Sequence, residues 1–450
     1  MTALLQRFVV TAGADKAILY GLLSKGWRAV AGLISIVLIA KFLTPQTQGY
    51  YFTFQSLIAL QVFVELGLFL VAVNITSHEW AKLGLNEDGQ LIGDQDALSR
   101  LVSFGRRLAS WYSMAAVVFV IVVGPAGALF LARQANDEAW LAPWLVSVFC
   151  QGIILAATPL LALLEGCNQV VSVQRFQLWQ AIVANAALWI CLSSGAGLWS
   201  VAALLTAQAL GTAYYLGIMQ RPFFSPFWRA TNGKIVDWKR EVWPMQWRLA
   251  VQGVVNYFVY SIYTPVIFYY FGPVEAGQFG LTWQVFSVLQ AIGLVWVQTR
   301  VPRFGMLIAQ RHFEEMDRLW QHAVMFAIGG FATGMVIFVF CQTLLNYFDI
   351  ELGRRFLGTQ VSLLLLPTGL LAVWIQCAAV YWRAHKIEPL GMSAIIPGVM
   401  NGTLVWWWGR AYGSIGAIAA YLFMLLAISG PLSVYLKRQV AYEYRGRANG

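Results

Sequence analysis

The sequence predicts an all-α polytopic membrane protein, with about twelve transmembrane helices in two six-helix lobes around a central cavity. The 450 residues are 59% hydrophobic and only 11% charged, whereas globular domains are roughly 25% charged. Apolar segments of about 20 residues, the length a helix needs to cross a bilayer, recur along the chain. Most of the 30 Lys and Arg residues fall between these segments, on one predicted side of the membrane. That asymmetry agrees with an even number of spans.

The apolar segments form two sets of six. The first set covers residues 18–43, 50–75, 108–131, 141–164, 176–193 and 198–219, and the second covers 245–271, 279–298, 323–345, 361–382, 391–408 and 415–436. A short amphipathic helix is expected at 97–104, ahead of the third span. We therefore expect an N-terminal lobe at 1–220, a basic cytoplasmic linker at 221–243, and a C-terminal lobe at 244–450 that ends in a short cytoplasmic tail.

The charge pattern predicts the orientation in the membrane. The Lys and Arg residues cluster on the side that also carries both termini, which predicts cytoplasmic termini. The net charge of +10 is spread over short loops beside the spans, where it contacts anionic membrane lipids, so no nucleic-acid partner is expected. The N-terminal residues have no short apolar core or cleavage site typical of a signal peptide. The five cysteines are widely spaced and lack metal-ligand spacing.

Three ionisable residues lie inside the first two spans. Lys25 and Arg28 are three residues apart on the first helix, and Glu65 lies at a similar depth on the second. A charge at this depth costs about 2.5 to 3.5 kcal/mol, and such residues usually mark a ligand or ion pathway. One interpretation is a structural ion pair between Glu65 and Lys25 or Arg28. The other is an anion-binding site that keeps one surplus positive charge.

The two halves of the chain share a turn motif. Pro45 and Gly49 follow the first span, and Pro273 and Gly277 follow the seventh, at a constant offset of 228 residues. A generic turn could produce either motif alone, but their matching positions favour an internal repeat. Six helices per half return the chain to the same side, so the repeat axis would lie along the membrane normal, with a ligand cavity between the lobes.

Four motifs in order resemble one transporter family. They are Leu43-Thr-Pro-x-x-x-Gly-Tyr, then Glu65-Leu-Gly-Leu, then Leu164-Glu-Gly, and then Pro273-x-x-x-Gly. In this order they resemble the polysaccharide exporters of the multidrug/oligosaccharidyl-lipid/polysaccharide (MOP) flippase superfamily, over nearly the whole chain. The lipid II flippases of that superfamily resemble the chain less, since they typically carry two more helices and more arginines in the cavity.

The resemblance implies a function and a site. Such proteins look like two six-helix bundles around a V-shaped cavity, and they move polyprenyl-diphosphate-linked oligosaccharides, such as O-antigen units of lipopolysaccharide, across the bacterial inner membrane. Lys25 and Arg28 match the superfamily's habit of placing cations on the first helix, facing the cavity. A diphosphate cannot cross hydrocarbon unaided, so fixed cations must replace its hydration.

A sugar needs flat apolar faces and hydrogen-bond partners. Asn256, Tyr260 and Thr264 lie at helical spacing on the seventh span, and Trp283 and Gln284 lie on the eighth. For any one of these residues taken alone, ordinary helix packing with interfacial aromatics is the more common explanation. The predicted substrate site consists of Lys25, Arg28, Glu65, Asn256, Tyr260, Trp283 and Gln284, with no catalytic residue, metal or cofactor.

Two other functions stay open at this stage. A membrane polysaccharide polymerase or ligase needs an outer domain with catalytic groups, and the longest outer loop, 346–360, is short. The four histidines are separated and lie near no nucleophile motif. A cation-coupled small-molecule exporter of the same superfamily would have a more acidic cavity. Coupling to Na⁺ or H⁺ is possible for either transporter, with Glu65 as the candidate coupling residue.

Overall fold

A computed structural model describes residues 16–134, 139–228, 233–385 and 392–446, and these are almost entirely helical. In chain order the elements up to residue 260 are α1 (Lys16–Phe42), α2 (Pro45–Ile58), α3 (Val62–Glu65), α4 (Leu68–Trp80), β1 (Leu83–Leu85), β2 (Leu91–Gly93), α5 (Gln95–Ala132), α6 (Leu141–Gly166), α7 (Val170–Ser193), α8 (Trp199–Tyr214), α9 (Arg221–Phe224) and α10 (Trp243–Tyr260). They are followed by α11 (Tyr263–Phe271), α12 (Pro273–Gln298), α13 (Val301–Ala309), α14 (Phe313–Tyr347), α15 (Glu351–Arg354), α16 (Thr359–Ala384), α17 (Met392–Met424) and α18 (Gly430–Gly446).

The chain divides into two compact units. The first contains Leu57–Val254 together with the chain up to Ala31, and the second contains Gly32–Ser56 and Val255–Gly450. The first and seventh predicted spans, in α1 and α10, thus each contribute to both units. These units differ from the predicted lobes at residues 32–56 and 244–254, and the division into lobes by internal repeat stays a prediction.

The protein is a multi-pass membrane protein. Within the described residues, nine helices are long and apolar enough to span a membrane, or ten if one bent pair counts as a span. Two features explain why the count of ten, with the bent pair included, is two fewer than the twelve predicted spans. The seventh span is divided between α10 and α11. The eleventh and twelfth form one helical stretch, Ile395–Gln439, which Gly413 interrupts with a non-helical backbone conformation.

The second predicted span is broken beside Glu65. A 3₁₀ turn at Ala59–Gln61 precedes α3, and Leu66 and Gly67 after it both have positive φ angles, 51° and 67°. The helices on either side bend by 45°. Gly67 is required here, because a Cβ atom would lie 2.5 Å from the Cβ of Leu249 on α10. The sequence predicted one continuous helix, and this break is the main local difference.

The segment before the third span folds as a hairpin and a helix start. Strands β1 and β2 pair antiparallel, with Leu83 opposite Gly93. Asp94 then caps α5 by accepting a hydrogen bond from the backbone N–H of Ala97 at 2.8 Å. The expected short amphipathic helix at 97–104 is therefore the first part of the transmembrane helix α5, since no helix-breaking proline separates the two.

In the second unit the two Pro-x-x-x-Gly motifs contact each other. A Cβ atom on Gly49 would lie 1.9 Å from the carbonyl oxygen of Pro273, and one on Gly277 would lie 2.7 Å from the backbone nitrogen of Gly49. The Gln48 side chain donates hydrogen bonds to the carbonyls of Gly277 at 2.7 Å and Arg355 at 3.1 Å. Helices α2 and α12 thus cross at their glycines, backbone against backbone.

The interruption at Gly413 is stabilised from α12. Gly413 has a φ of 61°, and the helix resumes at Ser414. Glu275 accepts hydrogen bonds from both the backbone N–H and the hydroxyl of Ser414, each at 2.8 Å. A carboxylate at a helix start satisfies donors that have no partner within the helix. This turn therefore separates the last two spans.

Candidate functional site

Arg28 lies on the side of α1 opposite four of its exposed apolar residues. Leu23, Val30, Leu33 and Val37 are all exposed. With 3.6 residues per turn, Val37 lies about 180° around the helix from Arg28, and the other three lie within about 40° of Val37. Exposed apolar side chains on one face of a spanning helix form its lipid-facing surface. The helix period therefore places Arg28 opposite these four exposed side chains, and its position facing a cavity stays a prediction.

The face that carries Arg28 is buried on both sides of it. Ser24, Ala31 and Ser35 lie within about 60° of Arg28 around the helix, and all three are buried. Arg28 itself is exposed. Arg28 is thus an exposed residue on an otherwise buried face of α1. Intramembrane cations typically face such a bundle interior or a water-filled cavity.

Lys25 and Glu65 complete the set of charges predicted in these spans. Lys25 lies three residues before Arg28 on α1, and its side chain is outside the described part of the structure. Among the described side chains, Arg28 and Glu65 do not form an ion pair. The structural interpretation in which Arg28 neutralises Glu65 is therefore not supported, and a pair between Glu65 and Lys25 stays a prediction.

Glu65 ends α3 at the break in the second span and is half-buried. The phenol of Tyr112 on α5 is fully buried and lies close enough to interact electrostatically with the Glu65 carboxylate. One turn earlier, Gln61 accepts a hydrogen bond from Gln151 on α6 at 2.5 Å. The last carbonyls of a helix end lack intrahelical donors. The break thus places a carboxylate, a phenol and two amides together inside the first unit.

The second unit contributes aromatic rings. The Trp283 ring lies 4.9 Å from that of Tyr263 and 5.7 Å from that of Tyr421. Phe279 and Phe286 lie on either side of it along α12, at 5.5 and 5.0 Å. The centre of this cluster is fixed by a hydrogen-bond network in which Asn401 donates to the carbonyl of Phe258 at 2.7 Å and bonds the Tyr263 hydroxyl. Trp283 packs among these rings and is half-buried.

Tyr260 lies at the exposed edge of this cluster, and Asn256 lies one turn before it on α10. Both residues are exposed, Tyr260 by 42%, and they are four residues apart on α10. Tyr260 lies within electrostatic range of Tyr421 and of Arg383 on α16. Gln284, the remaining predicted residue, is half-buried, and its side-chain oxygen has no hydrogen-bond partner among the described residues.

One part of the predicted sugar stripe is interrupted. Helix α10 ends at Tyr260 and α11 begins at Tyr263, and Thr264 is buried. The helical spacing from Asn256 through Tyr260 therefore does not continue to Thr264. Sequence analysis also missed Asn401 and Arg383, which approach α10 from helices more than 100 residues away. The isolated Asn401 in an apolar segment was the available signal.

No group of three or more His, Cys, Asp or Glu residues in the described part of the chain could hold a metal ion. No protein-family model and no curated protein sequence matches the chain.

Solved structures do match it over nearly its whole length. A lipid II flippase MurJ in an inward closed conformation superposes with a TM-score of 0.64 and 15% identity, covering 94% of this chain and 87% of that one. An inward-facing multidrug resistance MATE transporter of the MOP superfamily gives 0.57 and 12%, covering 94% of both. The chain has the fold of the MOP superfamily transporters. A third match, the MATE multidrug transporter DinF-BH, gives 0.56 and 14%, covering 94% of this chain and 95% of that one.

The matched structures support the predicted all-α architecture. At these identities the similarity extends to the fold alone. Substrate, coupling ion and orientation must therefore be argued from the residues of this chain.

Proposed function

We propose that the protein is a flippase for polyprenyl-diphosphate-linked oligosaccharides, such as a surface-polysaccharide repeat unit, in the bacterial inner membrane with both termini cytoplasmic. The observation that carries the proposal is Arg28. It is a cation within an apolar helix long enough to span a membrane, on the side opposite four exposed apolar residues, and it is exposed and without an ion-pair partner among the described side chains.

The ligand chemistry follows from this charge. An unpaired intramembrane cation needs a mobile anion, and a lipid-linked diphosphate brings two phosphates to membrane depth. Lys25, one turn away on α1, would supply a second cation. In the second unit, Tyr260, Trp283, Asn256 and Gln284 offer ring faces and amides of the kind that bind sugars. The MurJ neighbour, described as a lipid II flippase, is consistent with lipid-linked cargo.

A cation-coupled small-molecule exporter is the second candidate. It is favoured by Glu65, a carboxylate at a helix break beside Tyr112 and without a described ion pair. Helix breaks of this kind coordinate coupling ions in other transporters. The MATE neighbours are described as multidrug transporters. Under the leading proposal the same residue would couple flipping to a Na⁺ or H⁺ gradient.

The deciding experiment is binding by purified protein in detergent. We expect a fluorescent polyprenyl-diphosphate analogue to bind the wild type, and Arg28→Gln to weaken binding at least 10-fold. Lys41→Gln is the matched control, because Lys41 is an exposed cation at the end of the same helix. Equal binding by both variants would refute the proposal, and tight binding of an organic cation that Glu65→Gln abolishes would favour the exporter.

A further inference from the structure

The second unit contains a cavity that the proposed transport site does not use. The cavity is about 300 Å³ and lies among α14, α16 and α18, lined in part by Trp320, Trp374, Tyr381 and Lys437. It continues into an open groove of about 500 Å³. The two share Trp374, Val434 and Arg438. Both volumes fall in the range of ligand sites, about 300 to 1,000 Å³.

One end of this space is cationic and aromatic. The Lys437 ammonium lies 3.8 Å from the centre of the Trp320 ring and 5.6 Å from that of Tyr381. No described carboxylate lies within ion-pairing distance of Lys437 or of its exposed neighbour Arg438. Asp317 also lines the cavity, and it accepts the hydrogen bond of the Tyr381 hydroxyl at 2.8 Å. The charge at this end is therefore net positive.

The other end is apolar. The groove is lined by Leu371, Leu426, Pro431 and Val434, and Leu426 is exposed. It passes a π-helical turn at Leu425–Ser429, a feature that is frequent at functional sites. Leu426 and Arg438 are twelve residues apart, about 18 Å along a helix. One leaflet of the hydrocarbon core is about 15 Å thick.

We infer that this space binds one anionic phospholipid, with its phosphate on Lys437 and Arg438 and an acyl chain along the groove. The charge and the length carry the inference. The cationic pocket complements the phosphate of a phospholipid. The apolar groove that joins it is about as long as one leaflet, so it complements the hydrocarbon chain. Basic pockets between spans on the cytoplasmic side bind such headgroups, and the predicted orientation places Lys437 and Arg438 on that side.

Native mass spectrometry of delipidated protein titrated with phosphatidylglycerol tests this. We expect the wild type to retain phosphatidylglycerol at least threefold more than phosphatidylcholine, and Lys437→Gln/Arg438→Gln to lose that preference. Arg300→Gln is the matched control, because Arg300 also lies over a ring, that of Trp296 at 5.8 Å, in the same unit. Equal retention by the double variant and the control would overturn the inference.

Two further arms separate the headgroup from the chain. Leu426→Trp should fill the groove and reduce phosphatidylglycerol retention, and unchanged retention would overturn the acyl path. Glycerol 3-phosphate, which has no acyl chain, should not compete with phosphatidylglycerol at equal concentration. Full competition would overturn the inference and show that the site binds a free phosphate rather than a lipid. Melting temperatures of the variants check their folding. Failure of this site would leave the binding result for Arg28 unaffected, so the two proposals fail separately.

Discussion

The two units carry different kinds of side chain. The first unit contributes charges, Arg28 on a helix face opposite lipid and Glu65 at a helix break. The second contributes rings, with Tyr260 at the exposed edge of a cluster held by Asn401. Under the proposed function, charge would recognise the diphosphate and ring faces would recognise the sugar, so each unit would suit a different part of the substrate. This division predicts that a substitution affects either charge or sugar recognition, according to its unit.

The largest effect is expected from reversing the charge of the first unit. Arg28→Glu should reduce surface-polysaccharide export at least 100-fold, because it places a carboxylate where the diphosphate must bind. Arg28→Lys keeps the charge and should retain most export. Both variants should reach the membrane at normal level, as measured by quantitative immunoblotting. If export by Arg28→Glu stayed within twofold of the wild type, charge recognition by the first unit would be refuted.

The second prediction concerns Glu65. Glu65→Gln should leave folded yield unchanged, because no described ion pair depends on it, and should reduce transport about 10-fold by removing its response to a Na⁺ or H⁺ gradient. Transport into proteoliposomes, with and without each gradient, measures this. A loss of yield that Lys25→Gln restores would instead show the structural ion pair with Lys25.

The third prediction concerns the rings. Tyr260→Ala should weaken binding of a glycan-bearing lipid about 5-fold and leave binding of the bare polyprenyl diphosphate unchanged, because the ring face contacts sugar only. Tyr412→Ala is the control, since Tyr412 is exposed in the same unit and lies outside the cluster. A parallel loss for both ligands would show that the charge and ring functions are not divided between the units.

The smallest effect concerns stability rather than transport. Burial raises the pKa of the Glu241 carboxyl, but Arg100 and the backbone N–H of Asp237 outweigh it, so the pKa lies below its ordinary value. Arg100 also pairs with Glu79 at 2.8 Å and with Glu241 at 2.5 Å. A lowered pKa contributes stability above the ordinary value near 4.5 that is lost as pH falls below it.

Melting temperatures between pH 6 and 4 test this contribution. The wild type should lose a degree or two more than Glu241→Gln over that interval. Glu314→Gln, which removes an exposed pair in the second unit, should follow the wild type. An identical pH response of Glu241→Gln and wild type would show that this network does not contribute to stability.

The sequence showed where the charges lie along α1, but it did not show the helix breaks. Lys25 and Arg28 stand out because cations in an apolar segment are costly, and the direction of a helix face follows from its period. The break after Glu65 was missed because it depends on Gly67 packing against Leu249, which is 182 positions away. The Asn401 network was missed for the same reason. Contacts between distant segments are not encoded in local periodicity.

The crossing of Gly49 and Gly277 makes two positions behave as one. A methyl group on either glycine must push the same two backbones apart, so the first substitution already creates most of the gap. Gly49→Ala and Gly277→Ala should each lower the melting temperature, and the double variant should lower it by clearly less than the sum. In a population of sequences these sites would then covary, with relaxed constraint on one wherever the other has already changed.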